Sequence, residues 1–249
     1  MAGADDAEAA AEVAAKRGKP WLREVCDAVL IALIFAVFAR TWVVQAFKIP
    51  TGSMEDNLLV GDHILVNKFI YGPTRYGWED ALLPSRPLRR GDVVVFKYPE
   101  DPQRDFIKRC LGLPGDEVEI VDKALRLDGE PVAESGYVHF ADPVTYPESP
   151  AVDEYYRIRD QFGPYEVAAD GYFCLGDNRD HSQDSRYWGP VPRGHLKGRA
   201  VLIYWSVAGT GEAPAPVSAA HAPWWRRPGQ ALRRLGAATR WERSFTLVR

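Results

Sequence analysis

The sequence predicts a mainly β protein: an antiparallel β-sheet domain with a smaller inserted β subdomain, preceded by one apolar N-terminal helix. Short apolar runs, such as residues 92–98 and 199–205, have the length of strands and often follow Gly-Asp or Gly-Arg steps. The chain holds 21 Gly and 19 Pro, which suits many strands joined by turns. It shows no long amphipathic helix and no strand–helix alternation, so a compact sheet sandwich or barrel is expected.

The composition bounds the class of protein. The 249 residues carry a net charge of −3 and 46% hydrophobic residues, which suits one sizeable globular domain with appendages and gives no reason to expect nucleic acid. Cys26, Cys110 and Cys174 lack metal-site spacing and are interpreted as buried apolar thiols. A Cys110–Cys174 disulfide stays open for a domain outside the cytoplasm.

The N-terminal part is predicted to be a cytoplasmic segment (1–22) followed by a transmembrane helix (23–46). The uninterrupted apolar run 28–39, extended to Phe47, approaches the ~20 residues that cross a bilayer. Four basic residues precede it: Lys16, Arg17, Lys19 and Arg23. They place the N-terminus in the cytoplasm and the following domain outside it. A cleaved signal peptide is less favoured, because no small-residue cleavage site follows the apolar run.

The β domain is expected at 47–206, with an insertion at 124–170. Residues 207–223 are predicted to form a flexible linker, and 224–249 a basic amphipathic tail. The tail has apolar residues at helical spacing: Leu232, Leu235, Ala238, Trp241, Phe245 and Val248. With arginines between them, they indicate an interfacial helix on anionic lipid. A tail packed on its own domain or simply solvated is an equal alternative.

Ser53 is the first candidate for chemistry. It follows Pro50, which cannot continue a helix, and Gly52, which permits a tight turn and a close approach to a ligand. A serine in such a turn is usually structural. It becomes a candidate nucleophile only if a base lies beside it.

Lys108 is the candidate base. It lies within a predicted strand, where alternation puts Phe106 and Cys110 on its face. A buried lysine is rare and costly, and desolvation lowers its pKa, so that a neutral amine can act as a general base on a serine hydroxyl. The alternative is a surface lysine paired with Asp105 or Glu100.

A third element is the polar run 176–186, which directly follows an apolar strand. Its Ser182 hydroxyl could orient the amine of Lys108. His181, Ser182 and Asp184 are too close in sequence to form a Ser–His–Asp triad. A calcium loop lacks its required glycine, and no His or Cys cluster exists, so neither metal nor cofactor is expected.

Together these residues form a pattern that resembles bacterial type I signal peptidases, the leader peptidases. The matching stretches are residues 47–54, 61–69, 91–96, 106–116 and 176–189. They occur in the family's order and span most of residues 40–205.

The resemblance implies a role for each matched residue. Ser53 is the nucleophile and Lys108 the general base and acid. Thr51 joins the Ser53 backbone N–H in an oxyanion hole. Ser182 hydrogen-bonds the lysine.

The resemblance also implies a substrate pocket and a set of supporting charges. The pocket positions are Ile49, Met54, Leu58, Phe106 and Ile107. The structural charges are Arg109, Asp177, Asp184 and Arg186. The sequence departs from the family at 55–57, where Glu-Asp-Asn precedes the leucine in place of the usual proline and threonine.

The implied protein is a single-pass enzyme of the bacterial inner membrane, with its catalytic domain on the periplasmic side. It removes signal peptides from exported preproteins after small residues, in an Ala-x-Ala-like context. Its partners are signal peptides and the lipid bilayer, without nucleic acid, and we expect a monomer. Two alternatives remain: a self-cleaving regulatory Ser–Lys protease, which the apolar segment argues against, and a non-catalytic membrane-anchored β binding module.

Overall fold

The computed structural model describes residues 21–38, 40, 43–71, 86–208 and 236–248. These residues belong to two units, Met1–Val43 and Val44–Arg249, and each is described by itself. Three longer ranges lie outside the described residues: 1–20, which holds most of the predicted cytoplasmic segment; 72–85; and 209–235, which holds most of the predicted linker and part of the predicted tail.

The first unit contains helix α1, Trp21–Phe38. Glu24 in its first turn complements the positive end of the helix dipole. Its large apolar side chains are exposed, for example Ile31 at 68% and Phe35 at 70%. Among the described residues, no helix combines the length and the apolar character that crossing a membrane requires.

The expected extent of this helix, to residue 46, is wrong. Helix α1 is described over Trp21–Phe38, and Val44–Lys48 is strand β1 of the second unit, so residues 44–46 are not helical. This stretch extends because its backbone groups pair with strand β2, from Val44 opposite Asn67 to Lys48 opposite His63. Tertiary pairing outweighs the continuity of the apolar run here.

The second unit is built on a large antiparallel sheet, which confirms the predicted mainly β class. Among the described residues its eight strands are β1 (Val44–Lys48), β2 (Asp62–Asn67), β3 (Val93–Lys97), β4 (Asp105–Gly112), β9 (Gly171–Leu175), β10 (Val191–Pro192), β11 (Leu196–Ser206) and β12 (Thr246–Leu247). Their order is β1-β2-β11-β3-β4-β9-β10, with β12 beside β11, and the paired strands run antiparallel.

A smaller sheet leaves the main one after β4 and rejoins it at β9. Its strands are β5 (Glu117–Val121), β6 (Ala124–Leu127), β7 (Glu130–Pro131) and β8 (Phe162–Glu166), in the order β7-β6-β5-β8. Helix α2 (Glu154–Asp160) precedes β8, and helix α3 (Ser185–Trp188) follows β9. The predicted insertion starts too late, because β5 belongs to this sheet: a hairpin through Asp122 and Lys123, both at positive φ, joins it to β6.

Buried apolar clusters fix the loop between β1 and β2 against the main sheet. Ile49, Met54 and Leu58 of this loop pack with Ile64 and Val95. A separate cluster joins the two sheets, where Leu111, Phe173 and Leu175 meet Val118, Ile120 and Leu125. Burial of this kind stabilises by about 1.5–3 kcal/mol per large side chain. The loop that carries Ser53 is therefore part of the core rather than a free surface loop.

The predicted tail helix is wrong for most of the described tail, in which only residues 236–238 are helical. Residues 241–245 form turns, and Thr246–Leu247 is strand β12, paired with Ile203 and Leu202 of β11. Val248 is buried in the same cluster as Met54. Residues 236–248 thus follow the alternative in which the tail packs on its own domain.

Two of the three cysteines are buried apolar thiols, as interpreted from the sequence. Cys110 of β4 and Cys174 of β9 lie opposite each other in the sheet, and both are free. Burial raises the pKa of the Cys174 thiol, which keeps it protonated and unreactive. Cys26 differs from the expectation, since it lies exposed on α1.

Candidate active site

Ser53 lies in a loop whose two ends are held by backbone hydrogen bonds. We call residues 49–61 the Ser53 loop. The N–H of Ile49 donates to the carbonyl of Asp62 at 2.8 Å, and the N–H of Gly61 donates back to Ile49 at 3.0 Å. Within the loop, Leu58 donates to the carbonyl of Met54 at 2.7 Å. With Met54 and Leu58 fully buried, the loop holds the Ser53 side chain at a set position, 8% exposed.

Lys108 meets Ser53 from strand β4. Its Nζ donates a hydrogen bond to the Ser53 Oγ at 2.5 Å, and the residue is only 4% exposed. The Phe106 ring lies 5.8 Å from Nζ, on the face that alternation predicts. Burial lowers the pKa of Lys108 to about 8, although the charge of Asp184 opposes the shift. A base near neutrality within reach of a hydroxyl can activate that hydroxyl for attack.

The polar run 176–186, here called the polar loop, is held in place near Lys108 by ion pairs and hydrogen bonds. Asp184 accepts from the backbone N–H of Gly176 at 3.0 Å and forms a two-pronged ion pair with Arg186, at 2.8 Å for each contact. Arg186 also donates to the carbonyls of Arg159 at 2.8 Å and Arg179 at 2.7 Å. Burial alone would raise the pKa of Asp184, but the Arg186 guanidinium outweighs it and holds the pKa below its usual value. Both residues therefore act structurally, by fixing the loop.

Ser182 reaches the site by a close approach to Gly176. A Cβ built on Gly176 would lie 2.2 Å from the Ser182 Oγ and 2.6 Å from the Ser53 carbonyl oxygen, so only glycine fits there. The predicted hydrogen bond between Ser182 and Lys108 is not formed. The Nζ of Lys108 is directed at Ser53, and the buried Ser182 hydroxyl instead lies beside Asp184, where its hydrogen bond helps to hold the pKa of that carboxyl low.

Arg109 and Asp177 form a buried ion pair directly beside the lysine. The Arg109 Nε and Nη2 donate to the two Asp177 oxygens at 2.7 and 2.6 Å, and Nη1 donates to the Gly91 carbonyl at 2.8 Å. The guanidinium also lies over the Tyr137 ring, 4.3 Å from its centre. The pair therefore ties β4, which carries Lys108, to the polar loop.

Two asparagines that the sequence analysis did not single out connect the Ser53 loop to the polar loop. Asn57 donates from Nδ2 to Asp177 at 2.8 Å. The backbone N–H of Asn178 donates to the Ser53 carbonyl at 3.2 Å, and its side chain donates to the Gly52 carbonyl at 3.3 Å. The one sequence signal for Asn57 is its place in the stretch 55–57, where the chain departs from the family pattern.

A cleft of about 490 Å³ opens over Ser53 and Lys108. Its lining residues are Pro50, Thr51, Ser53, Arg104, Asp105, Phe106, Ile107, Lys108, His181 and Gln183. Thr51 is exposed to this cleft, as an oxyanion-hole residue would have to be. A second, apolar pocket of about 30 Å³ adjoins it, lined among others by Ile49, Phe106 and Ile107.

Two of the predicted pocket residues lie elsewhere. Met54 and Leu58 are 0% exposed and line neither of these two cavities. Both side chains pack into the core with Ile64, where they hold the Ser53 loop down. Apolar residues are needed both in a substrate pocket and in the core. The sequence pattern alone does not show which of the two places Met54 and Leu58 take.

The fold and site define a class of protein: a mainly β domain with a serine and a buried lysine in contact on the floor of a cleft. Residues 22–205 match the family model described as signal peptidase, peptidase S26. The chain belongs to this family of serine endopeptidases, which confirms the resemblance drawn from the sequence motifs.

Two relatives in bacteria agree with this assignment. The chain is 38% identical over 213 residues to the signal peptidase I of Pseudomonas fluorescens, covering 76% of this chain and 74% of that protein. It is 36% identical to the signal peptidase I of Aquifex aeolicus, covering 71% of this chain and 82% of the relative. A solved signal peptidase I of Enterococcus faecalis is 28% identical over 46% of this chain and 97% of its own, with a TM-score of 0.34.

Proposed function

We propose that this chain removes N-terminal signal peptides from exported preproteins by acyl transfer through Ser53, with Lys108 as general base and acid. The hydrogen bond of 2.5 Å between the Lys108 Nζ and the Ser53 Oγ carries the proposal. It joins a nucleophile to a base whose pKa burial lowers to about 8. Relatives that are named signal peptidase I supply the substrate class.

The chemistry follows from these two groups. The neutral amine of Lys108 takes the proton from Ser53 while the oxygen attacks the scissile carbonyl. The Thr51 hydroxyl and the Ser53 backbone N–H stabilise the oxyanion that forms. The protonated lysine then gives its proton to the leaving amine, and an ester on Ser53 remains. Lys108 next activates a water molecule, which attacks the ester and releases the signal peptide.

Small residues are the expected preference at the cleavage site. The apolar pocket beside the cleft has a volume of only about 30 Å³, and a space of ~10–15 Å³ holds a single water-sized sphere. A methyl side chain fits such a pocket, and a small residue is therefore favoured there. An extended substrate segment can bind in the cleft by backbone pairing, with alternate side chains directed into the pockets.

We further propose that the segment containing α1 anchors the enzyme in the inner membrane as a single span, with the N-terminus in the cytoplasm. The exposed apolar side chains of α1, such as Ile31, Ile34 and Phe35, are the support from the structure. Lys16, Lys19 and other basic residues before the helix supply the orientation. The catalytic domain then lies outside the cytoplasm and cuts its substrates at the membrane surface. The protein acts as a monomer.

The test is incubation of the purified full chain with a preprotein and sequencing of the new N-terminus. A cut after a small residue supports the proposal. Ser53→Ala and Lys108→Met should abolish processing while the circular dichroism spectrum stays that of the folded protein. A binding module would keep its activity in both variants, and a self-cleaving regulator would cut its own chain rather than the preprotein. Either result contradicts the proposal.

A further inference from the structure

We propose that residues 236–248, here called the C-terminal clamp, hold the Ser53 loop in its working position, and that Arg243 is the positioning residue of this clamp. The inference rests on the proposed function only for its activity assay. It assigns a role in the reaction to a segment that touches neither the cleft nor Lys108 through the contacts described above.

The C-terminal clamp is packed and hydrogen-bonded as part of the folded domain. The N–H of Phe245 donates to the Ile203 carbonyl at 2.7 Å, and the N–H of Val248 donates to the Val201 carbonyl at 3.1 Å. The Val248 side chain is buried in the cluster that contains Met54 and Leu58. The clamp thus lies along β11 and contacts the apolar residues that follow Ser53.

Arg243 connects the clamp to the Ser53 loop. Its Nη2 donates to the backbone carbonyl of Asn57 at 2.8 Å and to the Asp62 carboxylate at 2.7 Å. Asp62 is fully buried and also accepts from the Leu59 N–H at 2.9 Å and the Ser206 hydroxyl at 2.6 Å. A buried carboxylate needs such partners, so this contact is stronger than a surface ion pair.

Asn57 links Arg243 to the strand that carries Lys108. Arg243 holds the carbonyl of Asn57, while the Asn57 side chain donates to Asp177 at 2.8 Å. Asp177 in turn pairs with Arg109, the residue after Lys108. The Ser53 loop is therefore fixed between the clamp and the strand that carries the base. A displacement of about 1 Å in a reacting group can cost about 100-fold in rate, so this support bears directly on the reaction.

The experiment compares the kinetics of three variants of the full chain on one preprotein. Arg243→Gln removes the charge and Arg243→Lys keeps it. Arg126→Gln is the matched control, because Arg126 is an exposed arginine of the small sheet whose partner Glu119 lies 3.7 Å away. Arg240 lies 4.0 Å from Asp62 and is unchanged in every variant, so we expect the buried carboxylate to keep a cationic neighbour.

The proposal expects kcat of Arg243→Gln to fall at least about 10-fold with KM changed less than about twofold, and Arg243→Lys to recover part of the loss. The pH midpoint of the activity should stay at the wild-type value, and Arg126→Gln should match the wild type. An unchanged kcat per folded molecule in Arg243→Gln overturns the proposal. If that variant does not fold, a wild-type kcat in Arg243→Lys overturns it, since the shorter lysine side chain does not carry its amine to the position from which the Arg243 Nη2 makes both contacts. A wild-type chain that cuts no preprotein contradicts the proposed function instead.

Discussion

The pH dependence of processing is the sharpest consequence of the site. A pKa of about 8 for Lys108 leaves about 20% of the amines neutral at pH ~7.4, against about 0.1% for an amine at 10.5. The active fraction is thus about 200-fold larger than for an exposed lysine. We expect kcat/KM to rise tenfold per pH unit well below the midpoint and to level off above pH ~8 to 9.

The assay is cleavage of a preprotein or a signal-peptide substrate by the full chain in detergent, followed between pH 6 and 10.5. The folded state of the enzyme is checked at each pH by circular dichroism. A midpoint near 10.5, or a profile without an acidic limb, would refute the assignment of a desolvated Lys108 as the base.

The same shift has a stability consequence with a definite sign. The folded-state pKa lies below the value of 10.5 for an exposed lysine, so below pH ~8 both states are protonated and the folded state carries the full desolvation penalty. A change from 10.5 to about 8 corresponds to about 3 kcal/mol. Between these values the unfolded state binds more protons, so the free energy of unfolding rises with pH.

Replacement of the lysine should therefore stabilise the protein at neutral pH. We expect Lys108→Met to raise the free energy of unfolding at pH 7 by about 2 kcal/mol, which is the ~3 kcal/mol penalty less ~1 kcal/mol for the lost hydrogen bond to Ser53. The gain should vanish above pH ~10.5. Urea denaturation of both chains at the two pH values measures it, and a variant that is less stable at pH 7 would contradict the reasoning.

Three further predictions concern residues around this pair. Thr51→Val should lower kcat about 100- to 1,000-fold without unfolding the protein, and Thr51→Ser should largely restore it; equal kcat in the two variants would exclude an oxyanion role. Asp177→Asn should lower the free energy of unfolding by about 3–5 kcal/mol, because it removes the carboxylate charge that pairs with the buried Arg109 guanidinium; a loss under 1 kcal/mol in denaturant titration would show that the pair is dispensable. Gly176→Ala should cost about 1–3 kcal/mol and most of the activity, since the new Cβ would lie 2.6 Å from the Ser53 carbonyl oxygen; an active, equally stable variant would show that the loops can separate.

The sequence predicted the parts of the site whose chemistry is local. The turn around Ser53 and the apolar strand around Lys108 made these residues candidates, and the family motifs paired them although 55 positions separate them. The alternation of β4 correctly gave Phe106 as a neighbour of the amine. Period-two patterns are properties of the chain itself, so they survive without knowledge of the fold.

The sequence was wrong where a distant partner decides the outcome. An apolar run suggested a helix up to residue 46, but the backbone of Val44–Lys48 pairs with β2. Helical spacing in the tail suggested an interfacial helix, but residues 241–248 turn and pair beside β11. Met54 and Leu58 fitted a substrate pocket by type, yet their burial places them in the core. In each case the sequence identified the residues correctly as apolar, but it did not show which part of the chain they pack or pair with.

By itself, the sequence determined the mainly β class and the family, and it supplied the serine and lysine of the proposed reaction as candidates, because these follow from residue types and short-range patterns. Only the tertiary structure decided how those groups are held: Asn57 meets Asp177 across 120 positions and Arg243 meets Asp62 across 181. Polar side chains such as these can pair with many partners. The packed sheet selects one, because a buried polar group must find the partner that the fold brings within reach.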